Sequence, residues 1–230
     1  MASGMAVRLI GGPTVLIEVG GLRLLTDPTL GRTGSLIGGT ADEIGPIDVV
    51  LLSHDQHGDP LGPSGRSLLE RAPLILTNPG CAARLGGCAR GLPPWYHLSL
   101  SCSGGDALRI TGVPVQQGPD ETVQRVGFVL SGVDMPTGYV SVANTSLDVV
   151  REIAGRCGPI DVAVLNGFLT HAGEHAVRVA AILDFPMVVL AHVEGREHGS
   201  EGIDDIRAAF DRHGLGERLC VLASGETAMF

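Results

Sequence analysis

Residues 48–60 read Asp-Val-Val-Leu-Leu-Ser-His-Asp-Gln-His-Gly-Asp-Pro. The run Val49, Val50, Leu51, Leu52 is apolar without interruption. It predicts a strand over 48–53 covered on both faces, the pattern of a sheet flanked by helices. The strand leaves the core and at once delivers His54, Asp55, His57 and Asp59. A sheet presents ligands at its edge in this way, and His with carboxylate suits Zn, Mn or Fe. The plainer alternative is a polar turn after a strand, but so dense a His/Asp cluster is unusual for one.

The same step recurs near the other end of the chain. The apolar run Met-Val-Val-Leu-Ala at 187–191 passes directly into His192-Val193-Glu194-Gly195-Arg196-Glu197-His198. His192 is the natural partner of the first cluster, and His198 lies beside it or in a solvated loop. Asp27, in Leu25-Thr26-Asp27-Pro28, reads locally as a turn. His171 and His175 stand four apart, but the residues between them lack the acid of HExxH, which points to a solvated helix start. His97 is expected in a loop and His213 at a helix end. Trp95 and Tyr96, after Pro93-Pro94, are expected to pack over the core.

Around these clusters, short Val/Ile/Leu runs alternate with Gly, Pro and Asp. Strands are predicted over 7–10, 14–19, 22–26, 73–77, 107–115, 126–131, 138–142, 161–166, 187–192 and 219–222. Gly20-Gly21 makes a two-residue hairpin. Helices are predicted over 146–156, 171–183 and 201–213, with a short one over 79–85. Thr145 or Ser146 would cap the first, and Gly158-Pro159 would stop it. The pattern suggests two halves, each with strands before helices, in one domain spanning 1–230.

Composition removes several function classes. The 230 residues carry 16 basic and 25 acidic side chains, a formal charge of -9, so a general nucleic-acid or anionic-membrane surface is not expected. All the basic residues are Arg, which excludes Schiff-base and phosphate-loop lysine chemistry. Aromatics are 3%, too few for base-stacking platforms. The Gly pairs fall in no GxGxxG or GxxxxGK pattern, and no Ser sits in a nucleophile elbow. The five cysteines, without CxxC spacing, read as reduced and mostly buried thiols of a cytoplasmic protein. No apolar run approaches the roughly 20 residues of a membrane span, and residues 1–12 lack a signal pattern.

In combination these segments resemble a known family. TDP at 26–28, DVVLLSHDxH, PxxxGP at 114–119, YVSxxNTSLDVV at 139–150, PIDVAVL at 159–165 and AHVEGxxH at 191–198 resemble the metallo-β-lactamase superfamily. The nearest branch is that of small bacterial metal-dependent hydrolases that includes ascorbate-phosphate lactonase-like proteins. The resemblance spans about residues 7–226. It implies an α/β (α+β) fold, a four-layer αββα sandwich with the metal site at the strand ends between the two sheets.

The resemblance also implies a reduced metal site. His54, His57 and Asp59 match the branch's SHDxHxDN, with Pro60 at its last position, and His192 matches the last family His. Gln117 stands where the family has His, Ala143 where it has the metal-bridging Asp, and Arg196 where it has Trp. The implied set is therefore His54, His57, Asp59 and His192 around one divalent metal, Zn, Mn or Fe, or none. Asp59, His57 and His192 are the catalytic candidates. Asp27, Gln117, Asn144, Arg196 and His198 are the substrate-binding candidates.

Three functions follow as expectations. The first is a hydrolase of a small polar ester, lactone or phosphorylated metabolite, using one metal-activated water. The second is a metal-free enzyme on the same fold, using the His and Asp groups as acids and bases for elimination, isomerisation or cyclisation. The third is a non-catalytic binding protein. The expected partner is a small molecule, with no nucleic acid and no membrane; the composition is compatible with a homo-oligomer.

Overall fold

The structure, a computed structural model, describes residues 4–29, 44–55, 61–115, 125–141, 145–166, 172–191 and 202–230. The elements in chain order are β1 (Met5–Gly11), β2 (Thr14–Val19), β3 (Leu22–Thr26), β4 (Val49–Leu51), α1 (Gly62–Arg71), β5 (Ile75–Thr77), α2 (Pro79–Leu85) and β6 (Ala89–Gly91). There follow β7 (His97–Ser101), β8 (Ala107–Val115), β9 (Arg125–Ser131), β10 (Gly138–Ser141), α3 (Leu147–Cys157), β11 (Val162–Asn166), α4 (Ala172–Ile182), β12 (Met187–Ala191), α5 (Ile203–Arg212), β13 (Leu219–Cys220) and β14 (Thr227–Met229).

The strands form two seven-stranded sheets, ordered β14-β1-β2-β3-β4-β5-β6 and β13-β12-β11-β10-β9-β8-β7. Each has an antiparallel half that passes into a parallel half. In the first, β1, β2 and β3 are antiparallel, and β3 to β6 run parallel. In the second, β7 to β10 are antiparallel, and β10 to β13 run parallel. Gly20 and Gly21 turn the β2–β3 hairpin at φ of 61° and 79°, left-handed values that suit glycine at both central positions.

Strand alternation builds three apolar seams, and the seams define four layers. Val7, Ile17, Leu24, Val49 and Leu51 of the first sheet meet Leu108, Phe128, Val140, Val164 and Val189 of the second. Leu16, Leu25, Val50 and Leu52 face the other way, against Leu68 and Leu69 of α1 and Cys81 of α2. Tyr139, Ala163, Leu165, Val188 and Leu190 meet α3, α4 and α5. Val49 to Leu52 thus point alternately into two seams, which is why that run carries no polar residue. The architecture is the expected four-layer αββα sandwich.

Some expectations need correction. Helix α1 and strands β6, β7 and β14 were not expected. His97 opens β7 instead of lying in a loop. Trp95 packs against the seam under α3 to α5, but Tyr96 is 67% exposed. The five cysteines are free, but only Cys81 and Cys102 are buried. His213 is the C-cap of α5, as expected. His175 is half-buried on α4, and burial lowers its pKa, so the solvated reading does not hold for it. Among the described residues no helix is long and apolar enough to cross a membrane.

Candidate functional site

Strand β3 ends at Thr26, and the next residue, Asp27, takes a φ of +27°. Asp tolerates this region better than most residues. The turn is pinned on both sides. Asp27 N donates to Leu51 O at 3.1 Å, continuing the β3–β4 ladder, and Thr14 Oγ1 donates to Asp27 O at 2.8 Å. Helix α1 backs the turn so closely that a Cβ on Gly65 would lie 2.0 Å from Pro28 O.

Asp27 is 6% exposed, and its carboxylate reaches across to the end of β4. Its Oδ1 accepts from Ser53 N at 2.7 Å and from Ser53 Oγ at 3.0 Å. Burial pushes its pKa up to about 7, against the lowering pull of the two Ser53 bonds and the Arg125 charge.

Ser53 Oγ is also 2.8 Å from His54 Nδ1. Its single proton goes to Asp27, so it accepts from the imidazole. That assigns the proton to Nδ1 and the ring's lone pair to Nε2. The backbone of Ser53 is held too: Ser53 O accepts from Asn78 Nδ2 at 3.4 Å and from Val126 N at 3.2 Å. Asn78 caps α2, accepting from Cys81 N at 2.8 Å. The bond to Val126 joins the first sheet to the start of β9 in the second. Arg125, the neighbouring residue, is half-buried, and burial lowers its pKa while Asp27 raises it.

Asp55 turns away toward α2. Arg84 Nε donates to Asp55 Oδ2 at 2.8 Å and Arg84 Nη2 donates to Oδ1, a bidentate pair. The Arg84 bond holds the Asp55 carboxyl below the usual range. At the corresponding end of β10, buried Ser141 and Tyr139 both meet Thr145, at 3.0 and 2.7 Å.

Of the expected site residues, the structure places Asp27 and His54 and joins them through Ser53. Asp27, expected to bind substrate, is buried, and its Oδ1 serves Ser53. His57, Asp59, Gln117, Asn144, His192, Arg196 and His198 lie outside the described residues. So do Pro60, Ala143 and His171. Among the described residues no three His, Cys, Asp or Glu side chains form a metal-holding group. Sequence reasoning missed Ser53, Asn78 and Arg84. Their partners are 25 to 29 residues away in the chain, where no local pattern reaches.

Solved structures repeat this architecture along nearly the whole chain. An isothiocyanate hydrolase from Delia radicum gut bacteria superimposes with a TM-score of 0.76 at 21% identity, covering 98% of this chain and 99% of that one. A metallo-hydrolase from the hyperthermophilic archaeon Ignicoccus hospitalis gives 0.78 at 19% identity, over 99% and 98% of the two chains. A Thermotoga maritima protein described as a Zn-dependent hydrolase of the metallo-β-lactamase superfamily gives 0.53 at 19% identity, over 90% and 86%. The chain has the metallo-β-lactamase fold. No protein-family model matches it, and no curated protein does. In this metallo-β-lactamase fold, Asp27, Ser53 and His54 stand where the parallel strands β3 and β4 end, at the mouth between the two sheets.

Of the expected ligands the described residues include His54 alone, and its surroundings suit a metal-binding imidazole. An imidazole that binds a metal through one nitrogen ordinarily donates from the other to an oxygen that fixes its tautomer. Here Ser53 Oγ is that oxygen, and buried Asp27 fixes Ser53.

Proposed function

We propose that this chain is a metal-dependent hydrolase of a small polar ester, lactone or phosphorylated metabolite. The observation that carries the proposal is the chain Asp27–Ser53–His54. It holds Nδ1 of His54 on the protein, an arrangement that would present Nε2 to a metal. Two of the solved neighbours are named as hydrolases, one bacterial and one archaeal, which supports the same reading.

His54, His57, Asp59 and His192 would hold one divalent metal, which when bound supplies Lewis-acid polarisation and a lowered pKa for water. Asp27 and Ser53 orient the His54 ring. Asp59, or a neighbouring His, takes the proton from the attacking water. Arg125, half-buried at the start of β9, sets a fixed positive charge near the mouth, which suits an anionic substrate group.

The test is elemental analysis of protein purified without chelator, then soaked in Mn, Fe or Zn, with lactones and phosphoesters screened alongside. About one metal per chain is expected for a mononuclear site. His54→Ala is expected to lose both metal and activity. Activity that persists in metal-free protein and vanishes in His54→Ala would replace this reading with metal-free acid–base chemistry.

A further inference from the structure

The outer face of the second sheet carries a cationic pocket at the end remote from His54. Helix α3 covers Val113, Val129 and Tyr139 and stops at Cys157. Side chains of the same parity form two cross-strand rows, buried at Val129 and Thr111 and exposed at His97, Ser99 and Arg109. His97, Thr111 and Val129 form one row; Ser99, Arg109 and Ser131 form the other. The Trp95 turn folds back over this face. Trp95 N donates to Gly112 O at 2.7 Å, and Trp95 takes a φ of 69°, a strained value for a bulky residue. The guanidinium of Arg156, from α3, lies 4.6 Å from the centre of the Trp95 ring. Between these walls is a cavity of about 290 Å³.

Its charge has one sign. Arg109 and Arg156 line it, and among the described residues no acid does. Among the described residues the Arg109 side chain has no hydrogen-bond or ion-pair partner. Arg156 has a long contact, 3.4 Å, with Glu152 on the outer side of α3. In a chain with 25 acidic and 16 basic residues, two arginines in one acid-free cavity are a concentration against the average. A cavity lined by one sign of charge gathers the opposite ion.

The donor set points to a particular anion. Two guanidiniums supply two charges and forked N–H groups, and Thr111 and Ser131 line the same cavity. A carboxylate has one charge and two oxygens. A phosphoryl group has three terminal oxygens and nearly two charges at neutral pH, and uses the set more fully. The volume suits a small ligand. We propose that this pocket is a binding site for a phosphoryl dianion, free phosphate or a small phosphate monoester, with Arg109 as its principal donor. The site is separate from the hydrolytic mouth. Val126 of β9 bonds Ser53 at the mouth, and Ser131 is roughly 17 Å further along the same strand.

Trp95 is the single Trp of the chain, so intrinsic Trp fluorescence reads this pocket alone. The experiment titrates inorganic phosphate, phenyl phosphate and benzoate into the full chain and follows that emission. A saturable change with both phosphates, and about tenfold weaker binding in Arg109→Gln, is expected; that loss is what a charge-assisted fork contributes. Ser131→Asp, which sets a negative charge opposite Arg109, is expected to weaken binding as much while leaving the thermal midpoint in place. Tighter binding of phenyl phosphate assigns an organic monoester, and equal binding assigns free phosphate. No saturable change, an unchanged response in both variants, or benzoate binding as tightly as the phosphates would overturn the proposal.

Discussion

Asp27 and Ser53, 26 residues apart, are joined twice through one oxygen: Asp27 Oδ1 accepts both the backbone N–H and the hydroxyl of Ser53. The side chain of one strand end thereby fixes the backbone and the side chain of the next. His54 inherits its ring orientation from that bond pair, since Ser53 Oγ is its Nδ1 partner.

Asp27→Ala would leave the Ser53 N–H without its acceptor in a buried place. The expected loss is about 2–4 kcal/mol of stability, read by urea denaturation. Asp27→Asn keeps an oxygen able to accept both bonds and tolerates the same backbone region. It should retain most of the stability. Equal losses in the two variants would mean that the carboxylate's charge, and not its acceptor geometry, holds Ser53.

The raised pKa of Asp27 gives stability a pH dependence with a defined sign. The folded carboxyl titrates at about 7 and the unfolded one near 3.8, so the folded chain binds the extra proton between these values. The contribution is fully present below about pH 4, declines as pH rises toward 7, and is gone above it. Its ceiling is about 4 kcal/mol. In chelator-treated protein, the stability of wild type minus that of Asp27→Asn should fall along that window and level off above pH 7. A flat difference from pH 4 to 8 would show that Asp27 stays ionised when buried.

Ser53→Ala removes the oxygen that holds His54 Nδ1 and spares the backbone bond to Asp27. Loss of a partner of this kind typically costs 10–100-fold in metal affinity or activity. The variant should fold, bind Zn more weakly in a competition titration, and lose kcat/KM in step. Unchanged Zn affinity would remove the tautomer argument.

Much of this site's scaffold is written locally in the sequence. The run from Val49 to Leu52 shows a strand covered on both faces, and Gly20-Gly21 shows its hairpin. Ser146 and Gly158 mark the ends of α3. Helix α1 was not legible. Its sequence, Gly-Pro-Ser-Gly-Arg-Ser-Leu-Leu-Glu-Arg, opens on residues that read as a turn, and packing of Leu68 and Leu69 under the first sheet selects the helix. Strand β7 was missed although His-Leu-Ser-Leu-Ser alternates, because it is short and set among Pro, Ser and Gly. The pairs Asp27–Ser53 and Asp55–Arg84 are products of topology, since parallel β3, β4 and β5 bring together residues that no sequence window spans.

Arg84→Ala releases Asp55, the residue after His54, from its bidentate partner. The pair lies near the surface, so the stability change should stay within about 1 kcal/mol. Its effect should appear instead in the segment that follows Asp55, as weaker metal binding with a nearly unchanged thermal midpoint. Arg84→Lys keeps the charge but loses the fork and should rescue only partly. A large drop in the midpoint would identify the pair as structural support.

Gly65→Ala tests how closely the helix behind the site must approach. The added methyl would meet the carbonyl oxygen of Pro28 at 2.0 Å, and a backbone oxygen in a pinned turn cannot swing aside. Alanine favours the helix by about 1 kcal/mol over glycine, so propensity alone predicts a gain. The collision opposes it: either α1 moves off the sheet and opens the seam at Leu68 and Leu69, or the Asp27–Pro28 turn is displaced and carries Asp27 from Ser53. Both routes cost more than propensity returns, with an expected net loss of about 1–3 kcal/mol. The two are separable by measuring metal affinity together with the melting midpoint. A moved helix lowers the midpoint alone; a displaced turn lowers both, because Ser53 and His54 lose their anchor. A raised midpoint would mean that α1 does not sit against Pro28 as the structure places it.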